Sequence, residues 1–346
     1  VPPIPRCLSV ILLLSSGCLP RDSPKSERAR ATPASVALDR LITERMAASG
    51  LVGLGAAIIV DQQVIWMKGF GYADEARGVP FTPNTIMNVG SIAKTVTGAA
   101  LMGLVQEGRL SLDEDINRYL PFQVTNPHRP GARITLRDIA THTSGIADRD
   151  AIYEATYYPE GTTPEPLGEF LRAYLTPGGG YYAKENFLDV APGTYREYSN
   201  IAAGLAGFIV EQVTGEPLNV HTRKTIFVPL GMARTGWFLG EIDRATADEM
   251  LRFRFDSLHP LVNERWEEKN SGIFWTTKYN GSRMGHGGSD PGVQADMLLD
   301  RTREVGVVLI ANTSGSERVA RAYNSVFEAL WMYGEGWKAG RVQRGP

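Results

Sequence analysis

"VGSIAKTVTGAALMGLVQEGRL", residues 89–110, decides the fold, because it places a charge where a buried helix should carry none. From Val96 to Val105 the run is apolar or small apart from Thr97, and Gly108 closes it. That pattern predicts a buried helix from about Ser91 to Glu107. Yet Lys94 stands at its start, one helical step after Ser91. Positions 91, 94, 98, 101 and 105 share a stripe that reads Ser, Lys, Gly, Leu, Val. Its lower part is core, so Lys94 points along a buried face with Ser91 beside it. Burial disfavours the ammonium form and lowers a lysine's pKa. A neutral lysine beside a hydroxyl is a general base for a serine nucleophile. The helix N-terminus favours developing negative charge, and the amide of Ser91 can donate to an oxyanion. Taken alone, Ser-x-x-Lys is a weak signal that a snorkelling lysine and a capping serine would also produce.

Two further elements carry chemistry. In "REYSNIAAG", Tyr198 precedes a strongly apolar helix and Asn200 follows two residues on. A tyrosine near a lysine can shuttle a proton, and an asparagine offers a donor and an acceptor to an amide substrate. In "RMGHGGSDPG", Gly287 and Gly288 after His286 let a backbone edge approach a ligand closely. His286 is a candidate to orient a substrate carboxylate or carbonyl. With an unperturbed pKa near 6.5 its grip on a carboxylate would fade as it deprotonates. The amide of Ser289 is a candidate second oxyanion donor. Read singly, these are a boundary tyrosine with a helix cap and a Gly-rich turn before a strand.

In this order and spacing the three elements resemble the serine beta-lactamase and penicillin-binding-protein superfamily. The similarity is to its class C-like branch, with D,D-carboxypeptidase, D-aminopeptidase and esterase relatives. "ALMGLVQEGRLSLDEDINRYLP" and "LRDIATHTSGI" look like the sequence that follows the nucleophile in that family. The resemblance runs from about Leu38 to Trp331. It implies Ser91 as nucleophile, Lys94 as its base and Tyr198 as proton shuttle to the leaving group. It implies Asn200 as a substrate-amide contact, with His286, Gly287, Gly288 and Ser289 along the substrate-binding strand edge. No cofactor and no metal is implied. A D-peptide, a short ester and a beta-lactam would all pass through the same acyl-serine. The competing reading is a penicillin-binding or scaffold protein of this fold with little turnover. Two departures stand out. The third element is His-x-Gly where class C beta-lactamases carry Lys-Thr-Gly. The stretch between Met232 and His286 is short, with "RATADEMLRF" as a remnant of an active-site wall.

Other hydrolase classes fit poorly. Ser91 is flanked by Val89 and Ala93 where an α/β-hydrolase needs glycines, and no histidines pair as His-Glu-x-x-His. The 346 residues are 43% apolar and 21% charged with a net charge of −2. That is ordinary globular composition with no basic excess for nucleic acid. Residues 1–20 read as a secretory signal, with one Arg before the apolar run Leu8–Leu14. "LLSSGC" ending at Cys18 resembles a lipoprotein cleavage site, so a lipid anchor at Cys18 and simple cleavage nearby both stay open. Cys7 and Cys18 are the only cysteines, which leaves the body without a disulfide or thiolate. An extracytoplasmic bacterial protein, a monomer acting on a small-molecule or peptide substrate, is the expectation.

Strand-like runs lie near both ends and helical runs in the middle. The economical architecture is α+β: one antiparallel sheet from both termini, flanked by helices, with an inserted helical lobe. The resemblance implies that it is beta-lactamase/transpeptidase-like. Residues 21–33 read as a linker and 34–335 as the catalytic domain. Residues 34–88 and 284–335 would form the sheet lobe, 89–283 the helical lobe and 336–346 a tail. Within it, "DQQ" marks a hairpin, Ser111 to Pro121 a capped helix, Leu167 to Leu175 a helix in a loop-rich lid, and 316–331 the terminal helix.

Overall fold

The structure is a computed structural model that describes residues 32–85, 87–156, 165–232 and 272–342. The signal-like segment with Cys7 and Cys18, nearly all of the linker, and "RATADEMLRF" lie outside the described residues. Helix α1 (Pro33–Ser49) starts on a reciprocal cap between Thr32 and Ser35 and stops at Gly50, whose φ is 86°. Strands β1 (Gly53–Val60) and β2 (Gln63–Asp74) form the expected hairpin. Its turn is two residues, Asp61 and Gln62, both at positive φ, and Gln63 already pairs with Val60. That is the turn whose twist matches the strands. A short strand β3 (Val79–Pro80) lies outside β2.

The chain then crosses into helices. A single 3₁₀ turn, Gly90–Ile92, leads into α2 (Ala93–Gln106). Helix α3 (Leu136–Ala140) follows, with Thr135 as its cap, then α4 (Asp150–Glu154) and α5 (Leu167–Leu175). Helix α6 (Asn200–Thr214) begins on the Ser199 cap, and α7 (Leu218–Thr222) continues as a π-type turn to Phe227. Ser111 to Pro121 does not form the expected helix. It holds only one 3₁₀ turn, Ile116–Arg118, because Asp115 caps that turn and bridges to Thr135 instead.

The chain returns through β4 (Thr276–Lys278), β5 (Arg283–Asp290), β6 (Val293–Asp300) and β7 (Val305–Ala311), and ends in α8 (Glu317–Lys338). Among the described residues seven strands order as β3-β2-β1-β7-β6-β5-β4, all antiparallel, so the early and late strands meet at β1 and β7. Two expected boundaries move. Strand β4 joins the sheet from within the span assigned to the helical lobe, and α8 runs to Lys338, past the expected end at Trp331. One core lies between the sheet and helices α1 and α8, around Ile42, Leu54, Ile58, Leu309, Tyr323 and Phe327. The other fills the helical side, around Leu101, Ile139, Leu205 and Ile209, where α2 packs on α6.

Arg283 fastens the site strand to the terminal helix. Its guanidinium makes a forked pair with Glu328 at 2.5 and 2.9 Å. It also lies 4.1 Å from the Tyr279 ring centre and 4.0 Å from that of Trp331. Planarity and fixed donors let arginine do both at once, which lysine cannot. Arg283→Ala is expected to lower unfolding stability by about 2–3 kcal/mol in urea titrations, with Arg283→Lys recovering only part. A loss under about 1 kcal/mol would show that the aromatic packing holds β5 unaided.

Candidate active site

Ser91 sits where the turn before α2 presses against β5. Gly90 adopts φ +53°, and a side chain there would stand 2.9 Å from the amide nitrogen of Ser289. A side chain on Gly288 would stand 2.1 Å from the Val89 carbonyl and 3.3 Å from the Ser91 nitrogen. Only hydrogens at both positions allow this approach. It brings the Ser91 and Ser289 amides to one spot. Asn88 ties the two elements from the side, with its side chain donating to Asp290 at 2.7 Å and accepting from the Gly90 amide at 2.7 Å. Strand β4 pairs with β5 only over Arg283–Gly285. Among the described residues, no strand covers the outer edge of β5 from His286 to Asp290.

The first turn of α2 carries Lys94 back over Ser91. Lys94 Nζ lies 2.9 Å from Ser91 Oγ and 2.7 Å from Asn200 Oδ1. The Tyr198 hydroxyl donates to Ser91 Oγ at 2.7 Å, and Lys94 Nζ stands 5.0 Å from the centre of the Tyr198 ring. Lys94 and Tyr198 thus both reach the Ser91 hydroxyl, and Asn200 joins them through Lys94. Lys94 keeps some solvent contact, as a group facing a cleft must. Even so, burial pushes its ammonium down to about 8, against the opposing pull of Asp148 and then Asp290.

His286 departs from expectation. It is 5% exposed, and burial pushes its imidazole down to about 3, helped by the positive charge of Lys94. Its Nδ1 lies 2.5 Å from the Gly287 carbonyl, which can only accept, so the proton sits on Nδ1. The ring is neutral throughout the physiological range. It cannot hold a substrate carboxylate by charge, and no titration near pH 6.5 follows from it. Gly287 serves the opposite face of β5, where a side chain would meet Lys278 Nζ at 2.7 Å. That ammonium pairs with the half-buried Asp296 at 2.9 Å.

Two residues at the site escaped the sequence reading. His142 packs against Tyr198 with ring centres 4.4 Å apart and the rings tilted by 31°, and its own backbone is left-handed at φ 59°. Its Nδ1 accepts the Ser199 amide at 3.2 Å, so it too is neutral, and burial holds it well below 6.5. Asp148 accepts hydrogen bonds at the start of α6. They are the first and last residues of "HTSGIAD", of which the sequence reading marked only "HTSGI", as similar to the family. Among the described residues, no group of three or more His, Cys, Asp or Glu could hold a metal ion.

Comparison with known proteins places this geometry in a family. Residues 38–269 match the Beta-lactamase family model, and the chain belongs to that family. It is similar to Protein flp of Staphylococcus aureus (strain N315), 26% identical over 227 residues that span 66% of this chain and 43% of the relative. It is also similar to Esterase EstB of Burkholderia gladioli, 27% identical over 60% of this chain and 52% of that one. The chain therefore spans about half the length of these curated relatives. In fold it resembles the D-amino acid amidase of Ochrobactrum anthropi SV3 complexed with L-phenylalanine amide. There the TM-score is 0.69 at 21% identity, covering 90% of this chain and all of that one (100%).

Two outcomes follow from the geometry. Gly288→Ala should drive β5 away from Gly90–Ser91 and part the two amides. Reactivity of Ser91 toward a fluorophosphonate should then fall by about 10²-fold or more, with circular dichroism unchanged. Wild-type reactivity would mean that the two amides do not act together. Lys94 also predicts a stability signature. Its folded pKa lies below the unfolded 10.5, so the unfolded chain holds the extra proton between about 8 and 10.5. Wild-type stability relative to Lys94→Met should be flat below about pH 8 and climb by about 3 kcal/mol toward 10.5. A difference independent of pH would place a normal, solvated lysine at 94.

Proposed function

We propose that the protein is a serine hydrolase that cleaves an amide or ester through an acyl-enzyme on Ser91. One observation carries the reading: Ser91 Oγ is within hydrogen-bond distance of both Lys94 Nζ and Tyr198 Oη, at 2.9 and 2.7 Å. With Lys94 neutral, Ser91 Oγ attacks the substrate carbonyl and its proton passes to Lys94 Nζ. The Ser91 and Ser289 amides receive the oxyanion. Tyr198 gives its proton to the leaving amine or alkoxide and recovers one from Lys94. Water then repeats the sequence on the acyl-serine, and its proton returns through Tyr198 and Lys94 to Ser91 Oγ. Relatives named for an ester and for a D-amino acid amide support this range of substrates.

The neutral His286 favours neutral esters and amides over substrates gripped by a carboxylate. The signal-like residues 1–20 support an extracytoplasmic location. A fluorophosphonate should give one adduct by intact mass, on the peptide bearing Ser91. Lys94→Arg should lose about 10²–10⁴-fold in turnover, as Lys94→Ala does, because arginine keeps its proton. Turnover of p-nitrophenyl butyrate should rise with pH to a plateau above about 8, where Lys94 is neutral. For a carboxylate-bearing substrate, KM should stay flat from about pH 5.5 to 8 as far as His286 is concerned. An adduct that persists in Ser91→Ala would remove the nucleophile assignment. A protein that takes up no label would favour a binding or scaffold role.

A further inference from the structure

Asp148 lies outside contact with Ser91, yet it holds the start of α6 together. Its Oδ1 accepts from Ser199 Oγ at 2.6 Å and from the Ile201 amide at 3.1 Å. Its Oδ2 accepts from the Asn200 amide at 2.7 Å and from the Asn200 side-chain nitrogen at 2.9 Å. Four donors on two oxygens is the chemistry of an ionised carboxylate at a helix N-terminus. The contact to Asn200 Nδ2 settles which way that amide points. A carboxylate only accepts, so it takes the NH₂ end, and the carbonyl end must face Lys94, where Oδ1 lies 2.7 Å from Nζ. A neutral lysine has two N–H bonds and one lone pair. With one N–H committed to Asn200 Oδ1, the lone pair is left to turn toward the Ser91 hydroxyl.

Asp148 is itself clamped. The Tyr174 hydroxyl, fully buried on α5, donates to the Ala147 carbonyl at 2.9 Å and accepts the Arg149 amide at 2.8 Å. One side chain therefore pins the backbone on both sides of Asp148. The Ala147 amide is held in turn by the Asn186 carbonyl at 2.9 Å.

We propose that Asp148 is a positioning residue of this site: it locks Asn200 in the one orientation that aims Lys94 at Ser91, and Tyr174 holds Asp148 in register. The inference rests on the acyl-enzyme reading above. The groups facing Lys94 are Ser91 on its own turn, Tyr198 and Asn200 at the start of α6, and His142 at the end of α3. His286 and Asp290 face it from β5, and Asp148 from the loop after α3. Both imidazoles are neutral across the working range, so Asp148 and Asp290 are the carboxylates that support the charged lysine.

The test is the pH dependence of fluorophosphonate labelling of Ser91 in the full chain. Asp148→Asn removes the charge and allows the amide of Asn200 to turn over. Labelling on the plateau should fall by about 10-fold or more, and the acid limb should move below that of the wild type by about half a pH unit to one. Tyr174→Phe loosens the clamp but keeps the carboxylate, so labelling should fall by about 2–5-fold with the limb unmoved. A folded Asp148→Asn protein with the wild-type limb and rate within twofold would overturn the proposal. Should Asp148→Asn not fold, Asp148→Glu and Tyr174→Phe decide. Both keep the charge, so slower labelling on an unshifted limb supports the role, and wild-type rates in both overturn it. A wild-type protein unlabelled at Ser91 would instead defeat the acyl-enzyme reading beneath it, a distinct result.

Discussion

The site depends on holding an amine in the protein interior without letting it keep its proton. Lys94 is surrounded closely enough to be pushed to about 8, and its two described partners are a hydroxyl and an amide oxygen, neither of them charged. A carboxylate in direct contact would restore the ammonium form and disable the base. The chain instead keeps its carboxylates one step removed, at Asp148 and Asp290. They moderate the effect of burial without cancelling it.

The rest of the fold can be understood as the means of keeping that amine placed. Helix α2 supplies a straight, buried axis, and its small and apolar residues let α6 pack beside it. Helix α6 delivers Asn200, and Tyr198 just before it. The sheet delivers β5, and the two hydrogen-only positions, Gly90 and Gly288, let the strand and the turn touch. Behind β5, the Lys278–Asp296 pair and the Arg283–Glu328 fork hold the strand from its opposite face. The site is thus the meeting line of two lobes, with each lobe contributing one of the two candidate oxyanion amides.

Much of this was legible in the sequence for physical reasons. A lysine in an apolar helix is costly, so Lys94 declared itself, and Ser91 followed from helical spacing. Strand-like runs near both ends gave β1, β2, β6 and β7, and the Leu167–Leu175 helix emerged at its observed bounds. Strand β5 was not legible from propensity, since "RMGHGGSD" reads as a turn; only the resemblance to a family marked it as a strand edge. The titration of His286 was misread because a sequence shows a histidine but not how deeply it is buried. Asp148 was missed for the converse reason. Its importance lies in four hydrogen bonds to residues some fifty positions away, and no local pattern encodes them.

The central claim is that Lys94 works as a neutral base, and it can be observed on the resting protein. Carbon-13 NMR of lysine side chains labelled at Cε, with Lys94→Arg to assign the resonance, would follow its titration directly. The account predicts one lysine that titrates near 8, well apart from ordinary lysines near 10.4, and lost in the variant. A Lys94 resonance that titrates with the others would contradict it.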